Sequence, residues 1–288
     1  MDISSTVDIG GYELECSPMT AADIPRLHEL SVSVSWPHRA SDWAFALSLG
    51  QGWVARDPIG RVLGSAMWFP LSDAVVSVGM VITSPRLQVN GTGRWLMGRI
   101  LADTAGRARV LNATKQAYRL YVSLGFKALA EVSQMNGVVT ACPGFPTHAR
   151  PMRPEDRAAI HALDRAAMGF ARPAALEAVL DVSEGLVIER GGRIEGFSLT
   201  RRFGRGRVVG PIVALDEFDA MALTGPQVAA HPGAFLRVDT REPEGAYRDF
   251  LTAAGIGRFD VVQRMALEPL PEPEGPARTF ALINQALG

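Results

Sequence analysis

The sequence predicts an α/β protein built as two tandem copies of one unit, and three observations carry that prediction. Helical and strand periodicities alternate along its 288 residues, and the order of elements in the first half returns in the second. The stretch between the halves, CysProGlyPheProThrHis at 142–148, has no periodicity and suits a connection. A chain of this length is expected to hold two domains, each burying a core of its own. The expected division is residues 1–140, residues 148–268 and a C-terminal tail of 269–288.

The elements follow in order. Thr20 to Asp23 has the pattern of a capping box, and the helix after it sets Ile24, Leu27 and Leu30 on one face. Trp36, Pro37, His38, Arg39 and Ser41 interrupt the pattern before a short helix from Asp42 to Leu49. A strand at Gly52–Arg56 turns through Asp57–Gly60 and returns as Arg61–Phe69, and Ala74–Thr83 reads as a more apolar strand. Glycines and a new helix come next. In the second half ArgProMetArgProGluAsp at 150–156 parallels CysSerProMetThrAlaAlaAsp, and a hairpin around GlyGly at 191–192 parallels the earlier one. AlaTyrArgAspPheLeu at 246–251 stands opposite AlaTyrArgLeuTyrVal at 117–122, each followed closely by a glycine and an apolar residue.

Composition narrows the function classes. With 47% hydrophobic and 20% charged residues and a formal net charge of −1, the chain has an ordinary globular composition and gives no support to a nucleic-acid or anionic-membrane partner. The opening lacks a basic segment followed by an apolar one, and no apolar run reaches the length of a membrane span; a cytoplasmic protein is expected. Cys16 and Cys142 lie far apart, and the histidines form neither an HExxH pattern nor a close cluster, so no metal site is expected.

The strongest chemical signal lies at the end of the apolar strand. SerProArgLeuGlnValAsnGlyThrGly turns through Pro85 and opens a helix near Gly91 with the spacing Gln88-x-x-Gly91-x-Gly93. Glycine lets the backbone adopt otherwise costly dihedrals and approach a ligand closely, while the free amides and dipole of a helix start attract an anion. The dinucleotide fingerprint is excluded because Leu96 stands where a third glycine is needed. The nucleoside-triphosphate loop is excluded because Arg99 and Ile100 follow Gly98 in place of Lys and Ser/Thr.

That stretch resembles motif A of the Gcn5-related N-acetyltransferases, and AlaTyrArgLeuTyrValSerLeuGlyPhe at 117–126 resembles their motif B. The resemblance covers the first half directly; the doubled layout is similar to a bacterial subgroup with a second, degenerate acetyltransferase-like domain. It implies two tandem domains, each a mixed, mostly antiparallel twisted sheet flanked by helices. It further implies acetyl-CoA as co-substrate, the backbone of Met80, Val81 and Ile82 pairing with the pantetheine arm. The amides of Gln88, Val89, Asn90, Gly91, Thr92, Gly93 and Arg94 would hold the pyrophosphate. Thr114 stands where the family often has an asparagine three residues before the motif B alanine, with Asn112 two residues earlier.

For the chemistry, the resemblance places Tyr121 within reach of the cofactor sulfur. A phenol of pKa about 10 can protonate a departing thiolate whose thiol is near 8.5, most favourably if the site lowers the phenol's pKa. His38 is the first candidate for the base, with Asp42, Asp73 and ordered water also open; Trp36 and Trp43 flank it and could line an amine pocket. The second half lacks the glycine spacing and has Phe250 opposite Tyr121, so its expected role is to shape the acceptor cavity. Arg201, Arg202, Arg205 and Arg207 form a basic cluster in the turn between two strands and read as a solvated loop, the alternative being contact with the adenosine 3′-phosphate or an acidic substrate. The expected reaction is direct attack of a primary amine, of a small molecule or peptide, in a ternary complex. The alternative is a non-catalytic acyl-CoA-binding or interaction module. A homodimer stays open.

Overall fold

A computed structural model describes residues 5–9, 11–88 and 91–288. The first half runs β1 (Thr6–Ile9), β2 (Tyr12–Pro18), α1 (Ile24–Ser33), α2 (Ala40–Leu49), β3 (Gln51–Arg56), β4 (Val62–Pro70) and β5 (Val75–Thr83), then α3 (Thr92–Asp103), β6 (Ala108–Ala113), α4 (Tyr118–Ser123) and β7 (Lys127–Val138). The second runs β8 (Ala149–Pro151), α5 (Arg157–Met168), α6 (Pro173–Asp181), β9 (Glu184–Arg190), β10 (Arg193–Phe203) and β11 (Gly206–Ala214), then α7 (Glu217–Ala229), β12 (Phe235–Thr240), α8 (Ala246–Ala253) and β13 (Gly257–Ala266). From β2 onward the two lists match element for element. The hairpin of β1 and β2 and a last strand, β14 (Arg278–Ala281), are additions that the sequence pattern did not announce.

All the strands join one sheet in the order β1-β2-β3-β4-β5-β6-β13-β7-β12-β11-β10-β9-β8, with β14 against β11. The halves therefore exchange strands. β13 enters between β6 and β7, and β7 crosses to pair with β12. Val132 and Val262 face each other in the central β7–β13 ladder and are joined in a small core by Leu282.

Alternation along the strands sorts side chains to two faces. On one face Met67 and Phe69 of β4 pack with Leu27, Leu30 and Trp43, and the same core continues through Leu176, Val179 and Phe197 of the second half. On the other, Ala66 and Trp68 meet Leu96, Met97 and Ile100 of α3. In β5 the alternation changes side. Val76 and Val78 face α3, whereas Met80 and Ile82 face the shared core. The cause is a bulge: Ser65 pairs with Ile82 but Met67 pairs with Gly79, so β5 carries one extra residue, and Met80 takes a φ of 53°.

Candidate functional site

The bulge sits where two neighbouring strands part. β5 pairs with parallel β6 only from Val75 to Val78, and among the described residues no strand continues that edge beside Met80, Val81 and Ile82. Ser65 donates its hydroxyl to Met80 O at 2.8 Å, which fixes the bulge from the β4 side. Beyond Thr83 the chain turns into α3. Gly91 is its N-cap at φ 100°, and a Cβ there would meet no atom within 4 Å. The position is thus open in space but closed to other residues by its dihedral. Gly93 is different: a Cβ there would lie 3.2 Å from the Leu120 side chain, so this glycine lets α4 pack on the start of α3. Trp95 N donates to Gly91 O at 3.0 Å, which puts the amides of Thr92, Gly93 and Arg94 in the first turn of α3. Gln88 is exposed, its side-chain amide 3.5 Å from Thr83 O; Val89 and Asn90 lie outside the described residues.

Tyr121 is buried in the core between α3 and the sheet, edge-on to Phe126 at 5.8 Å. Burial pushes its phenol above the ordinary range, opposite to the lowering that would favour proton donation. Thr114 accepts at its carbonyl from Ala117 N and Tyr118 N, both at 3.0 Å, and so starts α4.

A cavity of about 300 Å³ opens at the bulge, and both halves line it. From the first come Trp36, His38, Asp42, Met80, Asn112 and Thr114. From the second come Arg201, Phe203 and Arg237, and the C-terminal residues Asn284 to Leu287 form a further wall. His38 is boxed by the rings of Trp36, Trp43 and Phe203 at 5.6, 6.4 and 5.6 Å, and its Nδ1 is buried without a hydrogen-bond partner. Burial, with the nearby Arg237 charge, lowers its pKa to about 3. Trp43 belongs to the core, donating to Ser31 Oγ at 2.9 Å, so only Trp36 of the two tryptophans lines the cavity. Asp42 Oδ2 accepts from Arg39 N at 2.7 Å and from Gly204 N at 3.0 Å, which seats the β10–β11 turn on the first half. Asp73 is exposed on the turn between β4 and β5, away from the cavity lining.

The basic cluster at 201–207 does not behave as one solvated turn. Arg202 is exposed and Arg207 pairs with Glu184, but Arg201 lies at the end of β10, is 3% exposed and faces inward between Phe45 and Phe203. Arg237 was not anticipated either. Its signal was an alternation of charge inside an apolar strand, Arg237 and Asp239 following Leu236 and Val238 in turn. The C-terminal residues are equally part of the site: Asn112 Nδ2 donates to Gln285 O at 2.7 Å, and a Cβ on Gly79 would come within 2.7 Å of Ala286.

In the second half the corresponding edge is covered. β11 and β5 are both nine residues long, and Ile212, Val213 and Ala214 stand where Val81, Ile82 and Thr83 do. These three pair with β14. α7 begins at Asp216 as N-cap, with its carboxylate accepting from Asp219 N, so an acid fills the place that an anion would need. No helix among the described residues is long and apolar enough to cross a membrane.

Comparison with known proteins agrees with this architecture. Residues 160–277 match the family described as Acetyltransferase (GNAT) domain, which places the match on the second half. A candidate acetyltransferase from Pyrococcus horikoshii superposes with a TM-score of 0.79 at 18% identity, covering 98% of each chain. A GCN5-related N-acetyltransferase from Sphaerobacter thermophilus gives 0.62 at 15% identity over 91% of this chain and 97% of that one. A tandem GNAT protein from the clavulanic acid biosynthesis pathway gives 0.61 at 15% identity over 91% and 100%. No curated protein matches. Residues 160–277 thus match a GNAT acetyltransferase domain, and the whole chain, two like halves in one continuous sheet, has the fold of tandem GNAT proteins.

Proposed function

We propose that the first half transfers an acetyl group from acetyl-CoA to a primary amine held in the cavity between the halves. The observation that carries this reading is the union of three features at one place: the open edge of β5 at its bulge, the glycine-led start of α3, and a cavity reaching Met80. These residues fit the co-substrate. An unpaired strand edge offers Met80, Val81 and Ile82 to an amide-bearing arm, and the open Gly91 with the first-turn amides of Thr92, Gly93 and Arg94 suits a pyrophosphate. When bound, acetyl-CoA supplies a thioester whose acyl carbon exchanges its bond to sulfur for one to the amine nitrogen.

The chain's own residues orient the acceptor and handle protons. His38, neutral at physiological pH because of its burial, is suited to accept a hydrogen bond from the amine and is too weak a base to strip an alkylammonium unaided. Tyr121, which keeps its proton and does not line the cavity, is the proposed donor toward the departing sulfur. Thr114 borders the same space. The second half walls the acceptor side, its own strand edge being covered by β14.

Calorimetric titration with acetyl-CoA tests the cradle. Wild type is expected to bind in the micromolar range, and a Gly91→Glu, Gly93→Glu variant is expected to lose binding, since the first change adds charge and backbone strain and the second crowds Leu120. A folded wild-type protein with no affinity for acetyl-CoA would overturn the reading. Tyr121→Phe should lower turnover by ~10-fold or more with acetyl-CoA affinity unchanged, the range expected for lost general-acid catalysis. Equal turnover in that variant would remove Tyr121 from the mechanism and leave it a core residue beside Phe126.

A further inference from the structure

The acceptor cavity holds polar groups that no protein partner satisfies. Arg201 Nε and Nη2 are both buried without a hydrogen-bond partner, while Nη1 reaches only Arg202 O at 3.3 Å. The guanidinium lies between two rings, its Cζ 5.0 Å from the Phe45 ring centre and 5.1 Å from that of Phe203. Burial and the Arg237 charge lower its pKa to about 10, partly offset by Asp42, so it remains a cation at neutral pH. Arg237, the other cation of the lining, is already matched, with Nε 3.0 and 3.1 Å from the two Asp239 oxygens and Nη2 2.9 Å from one of them. Asp42 does not ion-pair with Arg201: its Oδ2 is taken by two backbone amides. Asp260, at the rim, is exposed. Burying a cation without a counter-ion is costly, and the cost is recovered only when an anion arrives.

The free nitrogens also specify the anion's shape. Nε–H and Nη2–H lie along one edge of the guanidinium and point in parallel, the fork that matches the two oxygens of a carboxylate. A second unpartnered group faces the same cavity. Asn112 Oδ1 is buried without a partner, and its assignment is fixed because the other end of the amide must donate to the Gln285 carbonyl. Asn112 follows directly on Leu111, which pairs with Val78 where β5 and β6 part, so this acceptor lies beside the bulge.

We infer that the acceptor substrate carries a carboxylate as well as the reacting amine, with the carboxylate seated on the Nε–Nη2 edge of Arg201 and the amine directed toward Asn112 Oδ1 at the β5 bulge. This rests on the reading of the first half as an acyl-CoA-dependent N-acetyltransferase. A tandem arrangement then has a chemical purpose: one half holds the acyl donor, and the other supplies the cation that selects the acceptor.

The test measures binding of ω-amino carboxylates of graded chain length to the full chain, each beside its neutral primary amide and the aminoalkyl phosphate of equal length, with and without coenzyme A. At least one carboxylate is expected to bind ~10-fold or more tightly than its amide and phosphate counterparts, as for a charge-assisted bidentate pair. Arg201→Gln should erase that preference, and Arg201→Lys, which keeps the charge without the fork, should restore only part of it. Equal binding of carboxylate and amide, binding of neither, tighter binding of the phosphate, or a preference that survives in a folded Arg201→Gln protein would each overturn the inference. The wild-type comparison decides even where a variant fails to fold. Because these amines are titrated without acyl donor as well, loss of acetyl-CoA binding would strike the proposed function separately.

Discussion

Removal of residues 148–288 is expected to leave no soluble, cooperatively folding protein, although the stretches that resemble motifs A and B both lie before the cut. β7 has β13 on one side and β12 on the other, and both would be gone. β6 would lose β13 and keep only its parallel pairing with β5 over four residues. Val132 and Met135, at most 1% exposed in the whole chain, would face water on a strand with two unpaired edges, a template for aggregation. The shared core would also be opened, since Trp43, Met67 and Phe69 pack in one cluster with Leu176, Val179 and Phe197. Size-exclusion chromatography and a thermal melt of the fragment give the answer. A monomeric fragment with a sharp transition would mean that β7 can fold back beside β6, and the exchange would then be a preference and not a requirement. The fragment's acetyl-CoA affinity would in that case measure how far the donor site depends on its own half.

The contrast between what the sequence announced and what it concealed has a physical basis. Helices and strands are recorded in local periodicity, which is why α1 through α3 and the β9–β10 hairpin could be read, and why a bend at Gly91 stood out. Strand partners are not recorded locally. β7 and β13 have equivalent places in their repeats, so nothing in their alternation says that each sits in the other's half. The bulge at Met80 was hidden for a related reason: a single extra residue changes which face Met80 and Ile82 occupy without changing their apolar character. Residues 269–288 are expected to form a tail, yet Phe280, Ala281, Leu282 and Ile283 within them are fully buried. Arg201 was concealed by its neighbours. In a run of four arginines over seven residues, only the alternation of β10 decides which one turns inward.

Arg172→Met should be the most destabilising single substitution in the protein, and its consequences should reach the acceptor site. Arg172 and Asp164 are at most 1% exposed and form two bonds, Nε to Oδ2 at 2.9 Å and Nη2 to Oδ1 at 2.8 Å. The third nitrogen, Nη1, donates to Leu287 O at 3.1 Å and to Gly288 O, which holds the segment that walls the cavity at Gln285, Ala286 and Leu287. Removing the cation strands a buried carboxylate, at a cost of ~3–5 kcal/mol. For a domain of this size that corresponds to a melting temperature lower by roughly 10 °C. The double variant Asp164→Leu, Arg172→Met separates the two roles. Apolar replacement of a whole buried pair is often neutral or better, so most of the melting temperature should return. The hold on residues 287–288 would not return with it. The double variant is therefore expected to keep wild-type affinity for acetyl-CoA while its KM for the amine rises, because the acceptor wall is loosened and the donor cradle is untouched. Recovery of both stability and amine KM would show that the C-terminal segment stays in place through β14 and the core contacts of Ile283, without help from Arg172.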